Sequence, residues 1–450
     1  MESVNSYEGK RISVIGAGVS GTELALLAKR LGADVFISDT SEISEEKLNR
    51  FREAEIKWEM HGNTDQILNA DLIVAGSGIS PQTPVLQKAE EHGISVMGEL
   101  DFVAPYLDGK IIAITGSNGK TTTTSMTGYF LEKLGYHCLT GGNIGNALAK
   151  AAGEHYDFIV VELSSFQLHW TKQFRAEVGV VTNLAPDHID WHGSYEKYVE
   201  AKANLFRCLN QGGVPIYQKS DQDALAVSGG FPLQWEKAGP ADGIYMDETN
   251  SCAWLVRGGE KKKLFDFADV KLLGKHNLEN TAMACAALAH FGITVPGGLI
   301  GGYTAPGHRC AYVGEVKGVV FVDDSKGTNV AASVTAMRSL PNEKVVLLGG
   351  KGKGEDYGPL AEAVVQYAAF AVLLGAEKEK IAEALRAAGY EKYVLAGTME
   401  EAVEAAFEKA AAGQTVLLSP ACTSWDMYSD YGKRGEHFSE IAKGIIEREG

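Results

Sequence analysis

Three times along this chain, apolar runs of strand length alternate with segments of helical period, a rhythm that restricts the fold to largely parallel α/β sheets. The first alternation sets Arg11–Ile15, Asp34–Ser38, Leu72–Ala75 and Ile94–Met97 as strands, with helical patterns such as Thr22–Leu31 and Glu45–Glu55 between them. A second begins after Met97, with strands Lys110–Thr115, Phe158–Leu163 and Val178–Asn183 and a helix over Thr121–Leu134. It continues through short Gly-rich segments from Val214 to Phe267 that read as antiparallel, and closes with a helix over Asn277–Phe291. Gly297–Gly307, Gly-rich and Pro-containing, has the composition of a linker. The third alternation runs through Gly318–Asp323, Asn329–Leu340, Lys344–Leu348, Ala369–Leu374, Ile381–Ala388, Met399–Ala411 and Thr415–Leu418. The predicted architecture is α/β in three domains, residues 1–98, 99–305 and 306–450. The first and last are Rossmann-like, and the middle one is a mixed sheet of the P-loop ATPase type. A chain of 450 residues, 45% of them hydrophobic, can fill that many cores.

Charge and composition exclude several functions. A net charge of -16 argues against a nucleic-acid surface, which needs a basic stripe to displace counterions. Lys261-Lys262-Lys263 is the one cationic run, and its place between two alternating segments suits a solvated hairpin. No apolar run reaches the length of a membrane span, and Met1–Lys10 lacks the order of a signal peptide, so a cytoplasmic protein is expected. Cys138, Cys208, Cys252, Cys285, Cys310 and Cys422 lack paired spacing and read as reduced thiols.

The strongest chemical signal is the buried strand Ile111–Thr115 running through Gly116-Ser117-Asn118-Gly119-Lys120-Thr121-Thr122 into a helix. Glycines let backbone N–H groups approach phosphates, and the helix N-terminus adds partial positive charge. Lys120 is placed to bridge β- and γ-phosphates, and the Thr121 hydroxyl to ligate Mg²⁺. The general motif has a further Gly where this chain has Ile114, so this is the shorter Gly-x-x-Gly-Lys-Thr form. A tight strand–helix turn with a surface lysine is the bland alternative, and the flanking elements weigh against it. Glu162 ends an apolar strand, where a carboxylate is costly to bury unless it meets a cation. His188, beside Asp187 after the next strand, is open to a role as metal ligand or substrate orienter, although a lone histidine is more often merely packed or exposed.

Gly16-Ala17-Gly18-Val19-Ser20-Gly21 lies between a strand and a helix, and Asp39 ends the following strand. That pattern fits a dinucleotide, a nucleotide-sugar diphosphate or a turn without ligand. Gly76–Pro81 is a second backbone-rich loop at a strand end. In the last third, Asp323–Asn329, Gly349–Lys353 and Ser419–Ser424 all follow strands, where open α/β sheets form ligand crevices. Their lysines and hydroxyls suit an anionic acceptor, and three ordinary turns are the plain alternative.

Taken together these residues resemble the Mur ligase family over essentially the whole chain. Thr115–Thr121 resembles its ATP loop, Gly274–Asn280 its His-Asn-x-x-Asn segment and Gly307-His308-Arg309 its interdomain arginine motif. Gly141-Gly142-Asn143-Ile144-Gly145, Glu162–Leu168, Asp324–Asn329 and Leu418–Cys422 are similar to the D-glutamate-adding branch, and no Asp-Asn-Pro motif of the diaminopimelate- or lysine-adding branches is found. The resemblance implies ATP, Mg²⁺ (two ions), and UDP-N-acetylmuramoyl-L-alanine and D-glutamate as substrates of a monomer. It implies that Val19, Ser20, Asp39, Thr40, Gly78 and Asn143 hold the UDP-linked precursor, residues 1–98 being the precursor domain. Gly116, Ser117, Asn118, Gly119, Lys120, Thr121 and Thr122, with Asn277, Asn280, Arg309 and Asp324, would bind ATP. Thr121, Glu162, His188 and Lys202 would hold magnesium, Lys202 as the carbamate the family carries. Carbamylation is chemically sensible, since it turns a cation that repels Mg²⁺ into an anionic oxygen ligand. Lys120, Asn143, His188 and Lys202 are the expected catalytic residues, and Lys326, Thr328, Lys353, Ser424 and Tyr431 would place D-glutamate. Tyr431 stands where an aromatic offering its backbone is expected, so its hydroxyl is a mild departure.

The expected reaction is attack of the precursor carboxylate on the γ-phosphate, giving an acyl phosphate, followed by displacement of phosphate by the amine. The acceptor domain would close to bring these groups together. Two rivals are a sister ligase with another acceptor, and an NAD-dependent oxidoreductase or nucleotide-binding protein built on Gly16–Gly21. The second leaves Lys120, Glu162 and Lys353 without a shared purpose.

Overall fold

A computed structural model of the chain describes residues 6–143, 147–272, 274–305 and 307–450. Ile144 and Gly145 of the Gly141–Gly145 motif, and Pro306 of the linker stretch, lie outside the described residues. The chain divides into two compact units. The first holds residues up to Leu184, Val199–Asp269 and Thr281–Ile300, and the second holds Ala185–Tyr198, Val270–Asn280 and Gly301–Gly450.

The first unit contains two sheets. Strands β1 (Arg11–Ile15), β2 (Asp34–Ser38), β3 (Lys57–Glu59), β4 (Leu72–Ala75) and β5 (Ser95–Gly98) form a parallel sheet in the order β3-β2-β1-β4-β5. The order reverses between β1 and β4, so a crevice opens where Gly16–Ser20 and Gly76–Ser80 leave their strands. All four residues of β4 are buried, as a strand covered on both faces requires.

The second sheet has nine strands, ordered β14-β13-β12-β11-β10-β9-β6-β8-β7. They are β6 (Asp108–Thr115), β7 (Cys138–Gly142), β8 (His155–Glu162), β9 (Ala176–Val181), β10 (Leu209–Gln218), β11 (Phe231–Gln234), β12 (Gly243–Asp247), β13 (Cys252–Arg257) and β14 (Glu260–Asp266). The antiparallel expectation for Val214–Phe267 holds only beyond β12, because β9 to β12 pair in parallel. The Gly-rich composition there gave no sign of strand direction. Lys261–Lys263 lie exposed on edge strand β14, where charge discourages pairing with another chain. One apolar core runs under both sheets, from Val14 and Val35 to Ala113, Val161 and Leu163.

The second unit carries a six-stranded sheet ordered β15-β16-β20-β17-β18-β19. Its strands are β15 (Ala311–Val316), β16 (Val319–Asp323), β17 (Lys344–Gly349), β18 (Ala368–Leu374), β19 (Tyr393–Leu395) and β20 (Thr415–Leu418). All pairs are parallel except β15 with β16. A final helix, Tyr431–Glu449, buries Phe438, Ala442 and Ile445. The linker expectation for Gly297–Gly307 needs correction, since the stretch starts with a short helix, Gly297–Gly301, and buries Ile300 and Tyr303. No described helix is long and apolar enough to cross a membrane. The six cysteines are free.

Candidate functional site

In the first unit the polypeptide after β6 forms a loop held from below by the end of β9. Gly116 has φ 141°, and a Cβ there would lie 1.9 Å from Thr182 Oγ1, so only glycine fits. Ser117 N–H donates to Asn183 O (2.9 Å) and Asn118 N–H to Asn183 Oδ1 (3.0 Å). Asn183 Nδ2 returns a bond to Asn118 O at 3.0 Å. Thr182 and Asn183 therefore shape the loop, and the sequence reading gave neither a role. Lys120 Nζ donates to Gly116 O and Ser117 O, each at 2.9 Å, at the start of a 14-residue helix whose first turn holds Thr121 and Thr122.

Glu162 closes β8 and is 2% exposed. Its Oε1 accepts from Asn143 Nδ2 at 3.1 Å, while Oε2 is buried with no hydrogen-bond partner. A carboxylate oxygen in that state fits a hard cation, whereas the N-terminus of the helix that starts at Lys120 favours an anion such as phosphate. Lys202, 1% exposed, sends Nζ to Gly116 O (2.8 Å) and Thr115 Oγ1 (3.3 Å), at the base of the phosphate loop. The structure thus brings Lys120, Thr121, Asn143, Glu162 and Lys202 into one unit. Among the described residues, no three or more His, Cys, Asp or Glu side chains are grouped to hold a metal.

At the crevice of the first sheet, Asp39 Oδ2 accepts from Ala17 N–H at 2.6 Å and Oδ1 from Ser41 N–H at 2.7 Å. This carboxylate therefore braces the Gly16–Gly18 turn. Val19, Thr40 and Gly78 are exposed around it, and Ser20 is half-buried.

The remaining expected residues belong to the second unit. His188 adopts the left-handed conformation (φ 52°), uncommon for a side chain of its size, at the start of the short helix Ile189–His192. Its Nε2 lies 3.7 Å from Asp187 Oδ2. Asp187 accepts from Lys353 Nζ at 2.8 Å and Asn329 Nδ2 at 3.3 Å, and Lys353 and Asp187 are only 9% and 7% exposed. Glu355 lies nearby, its carboxyl pushed up to about 7 by burial. Asn280 Nδ2 donates to Asn277 Oδ1 at 3.3 Å. Burial, helped by Arg309, lowers His276 to about 4, so the ring is neutral at pH 7. Asp324 is raised to about 7 by burial, against bonds from Ser419 and Cys310 N–H that favour its charge.

Lys326, Thr328, Lys353, Ser424 and Tyr431 come from four segments at the ends of β16, β17 and β20 and the start of the last helix. Lys326 Nζ sits 3.8 Å above the Tyr431 ring. What joins the segments after β16 and β20 to the last helix is Arg434, for which the sequence carries no local signal. It is 3% exposed, and donates to Ser325 Oγ (2.9 Å), Ser325 O (2.7 Å) and Cys422 O (3.1 Å). Ser325 Oγ in turn donates to Tyr431 O at 2.8 Å. Burial lowers the Arg434 pKa to about 10.

A phosphate loop on one sheet, a dinucleotide-type crevice on a second and a basic strand-end cluster on a third define a nucleotide-dependent enzyme of three-sheet build. Residues 11–85 match the MurD N-terminal domain, 114–288 the Mur ligase middle domain and 308–422 the Mur ligase glutamate ligase domain. The chain is 37% identical to the UDP-N-acetylmuramoylalanine–D-glutamate ligase of Desulfosudis oleivorans, over 98% of this chain and 97% of that one. It is 36% identical to the ligase of the same name from Solibacter usitatus, over 97% and 98%. Among solved structures, UDP-N-acetylmuramate-alanine ligase MurC from Thermotoga maritima shares the fold (TM-score 0.59, 18% identity, 97% of this chain and 99% of that one). So does MurF ligase from the same organism in complex with ADP (TM-score 0.60, 15% identity, 92% and 96%). This chain belongs to the Mur ligase family.

Proposed function

We propose that this chain is the ATP-dependent ligase that adds D-glutamate to UDP-N-acetylmuramoyl-L-alanine in cytoplasmic peptidoglycan precursor synthesis, releasing ADP and phosphate. The observation that carries the substrate choice is the likeness, over nearly the full length of both chains, to ligases bearing that name. In this reading the precursor carboxylate attacks the γ-phosphorus, ADP leaves, and the D-glutamate amine then displaces phosphate from the acyl phosphate through a tetrahedral intermediate.

The chain's own part is positioning and charge neutralisation, as phosphoryl transfer demands. The loop Gly116–Thr122 and Lys120 cradle the phosphates, and Asn277, Asn280, Arg309 and Asp324 grip the rest of the nucleotide. Val19, Ser20, Asp39, Thr40 and Gly78 hold the UDP end, and Asn143, fixed by Glu162 Oε1, faces the reacting carboxylate. Thr121, Glu162, His188 and Lys202 as a carbamate would hold two magnesium ions. Magnesium, when bound, offsets the charge on the phosphoryl oxygens. Lys326, Thr328, Lys353, Ser424 and Tyr431 orient D-glutamate, whose carboxylates would compete with Asp187 for Lys353. The protein works as a monomer of three domains, residues 1–98, 99–305 and 306–450, the last closing on the second during turnover.

The test is phosphate release from Mg²⁺-ATP with the UDP-linked precursor and a panel of amino acids including both glutamate enantiomers, with bicarbonate present. Release that needs both the precursor and D-glutamate is the expected result. Turnover with another acceptor overturns the substrate, and none with any acceptor overturns the activity.

A further inference from the structure

Glu99 is a buried carboxyl that the chemistry above leaves unused. It opens the short helix Glu99–Val103 directly after β5 and is 7% exposed. Its Oε1 accepts from Gln167 Nε2, and its Oε2 is buried with no hydrogen-bond partner. Burial raises its pKa, while the bond from Gln167 favours the charged form. Its surroundings, among them Leu100, Phe102 and Leu148, are apolar core. An unsatisfied oxygen there costs about 1–3 kcal/mol, which an apolar side chain would avoid.

The elements that meet at Glu99 explain its place. Gln167 lies on the helix Ser165–Trp170, just past Glu162, and its own Oε1 caps Ser164 N–H at 2.8 Å. On that helix, Trp170 Nε1 donates to Ile79 O at 3.1 Å, in the loop after β4. Gly98 packs so tightly that a Cβ would lie 2.4 Å from the Trp170 Cβ. Glu99 also lines a small cavity with Ser20 and with Gly142, the neighbour of Asn143. On one side are therefore the loops assigned to the nucleotide end of the precursor, and on the other the groups assigned to its reacting carboxylate.

We propose that Glu99 is a positioning residue for the UDP-linked substrate: its carboxyl, held by Gln167 and lining a cavity with Ser20 and Gly142, sets the helix beside Glu162 against the first sheet, and so fixes the span between the two ends of the precursor. A substrate held at both ends reacts only if that span is right, since a misplacement of about 1 Å costs roughly a hundredfold in rate. The proposal rests on the substrate assignment above. Wild-type turnover with the precursor tests that assignment by itself, so Glu99 is judged only by the ratio of variant to wild type.

The experiment compares Glu99→Gln and Glu99→Ala with wild type in steady-state kinetics, varying each substrate in turn, alongside thermal unfolding. Gln keeps the volume and the acceptor for Gln167, but removes the carboxylate's charge and its free acceptor oxygen. The expected result for Glu99→Gln is a precursor KM raised about tenfold, with KM for ATP and D-glutamate within about twofold and an unchanged Tm. Glu99→Ala should raise the precursor KM further. An unchanged precursor KM in Glu99→Gln overturns the proposal, as does a joint rise of all three KM values with a falling Tm, which would mark a packing residue only.

Discussion

The loop proposed for phosphate in the first unit and the cluster proposed for the acceptor in the second are both built at strand ends, yet they are assembled in opposite ways. The loop is seven consecutive residues, Gly116–Thr122, whose backbone does most of the work and which Thr182 and Asn183 merely brace. The cluster draws on four separated segments, and it exists only once β16, β17 and β20 have paired and Arg434 has tied the ends of β16 and β20. Chemistry should therefore be removable from the loop without touching the fold, whereas in the cluster fold and chemistry should fail together.

Lys120→Met gives the largest expected effect on the first side of that contrast. Turnover should fall by about a thousandfold or more, since charge neutralisation at the phosphoryl group is lost, while the Tm barely moves. A large drop in Tm would break the contrast. Lys353→Met should damage both properties. It removes the cation beside the buried Asp187, a loss of about 3 kcal/mol in urea unfolding, and it raises the KM for D-glutamate. Arg434→Met leaves the carbonyls of Ser325 and Cys422 without their donor, so a loss of about 2 kcal/mol is expected, again with a higher D-glutamate KM. An Arg434→Met chain as stable as wild type would show that the cluster holds itself together without its cation.

The last effect concerns pH, and it leaves stability at neutral pH nearly untouched. The Asp324 pKa, about 7 in the fold against an ordinary 3.8, means that the folded chain binds this proton more tightly than the unfolded one. Its contribution to stability is full below about pH 4 and is lost as the pH rises towards about 7. Asp324→Asn removes that slope, so the stability difference between about pH 5 and about pH 8 should shrink by roughly 2 kcal/mol, measured by urea unfolding at the two values.

The same contrast governs what could be read from the sequence. The strands Arg11–Ile15, Asp34–Ser38, Leu72–Ala75 and Thr415–Leu418 were predicted to the residue, because runs buried on both faces carry a strong local signal. The edge strands β3 and β19, three residues each, carry almost none. The last helix was missed even though Phe438, Ala442 and Ile445 fall at helical spacing, since Gly432, Gly435 and Gly444 dilute its propensity. In the site, Lys120 and Glu162 were legible because a motif or a charge after four apolar residues marks them locally. Asn183 as a brace, Glu99 and Arg434 were not, because each is defined by partners far away in the chain: Asn118, Gln167 and Ser325.

The two compact units alternate along the polypeptide, the second taking Ala185–Tyr198 and Val270–Asn280 before its main body starts at Gly301. A growing chain therefore cannot finish the second unit when its last sheet emerges, unless pieces synthesised long before have been kept from misplacement. By the same token, one proteolytic nick between Leu184 and Gly301 severs the backbone of both units. Shortened versions that start at residue 301 keep both apolar cores of the last sheet but lose Asp187, the buried partner of Lys353 and Asn329.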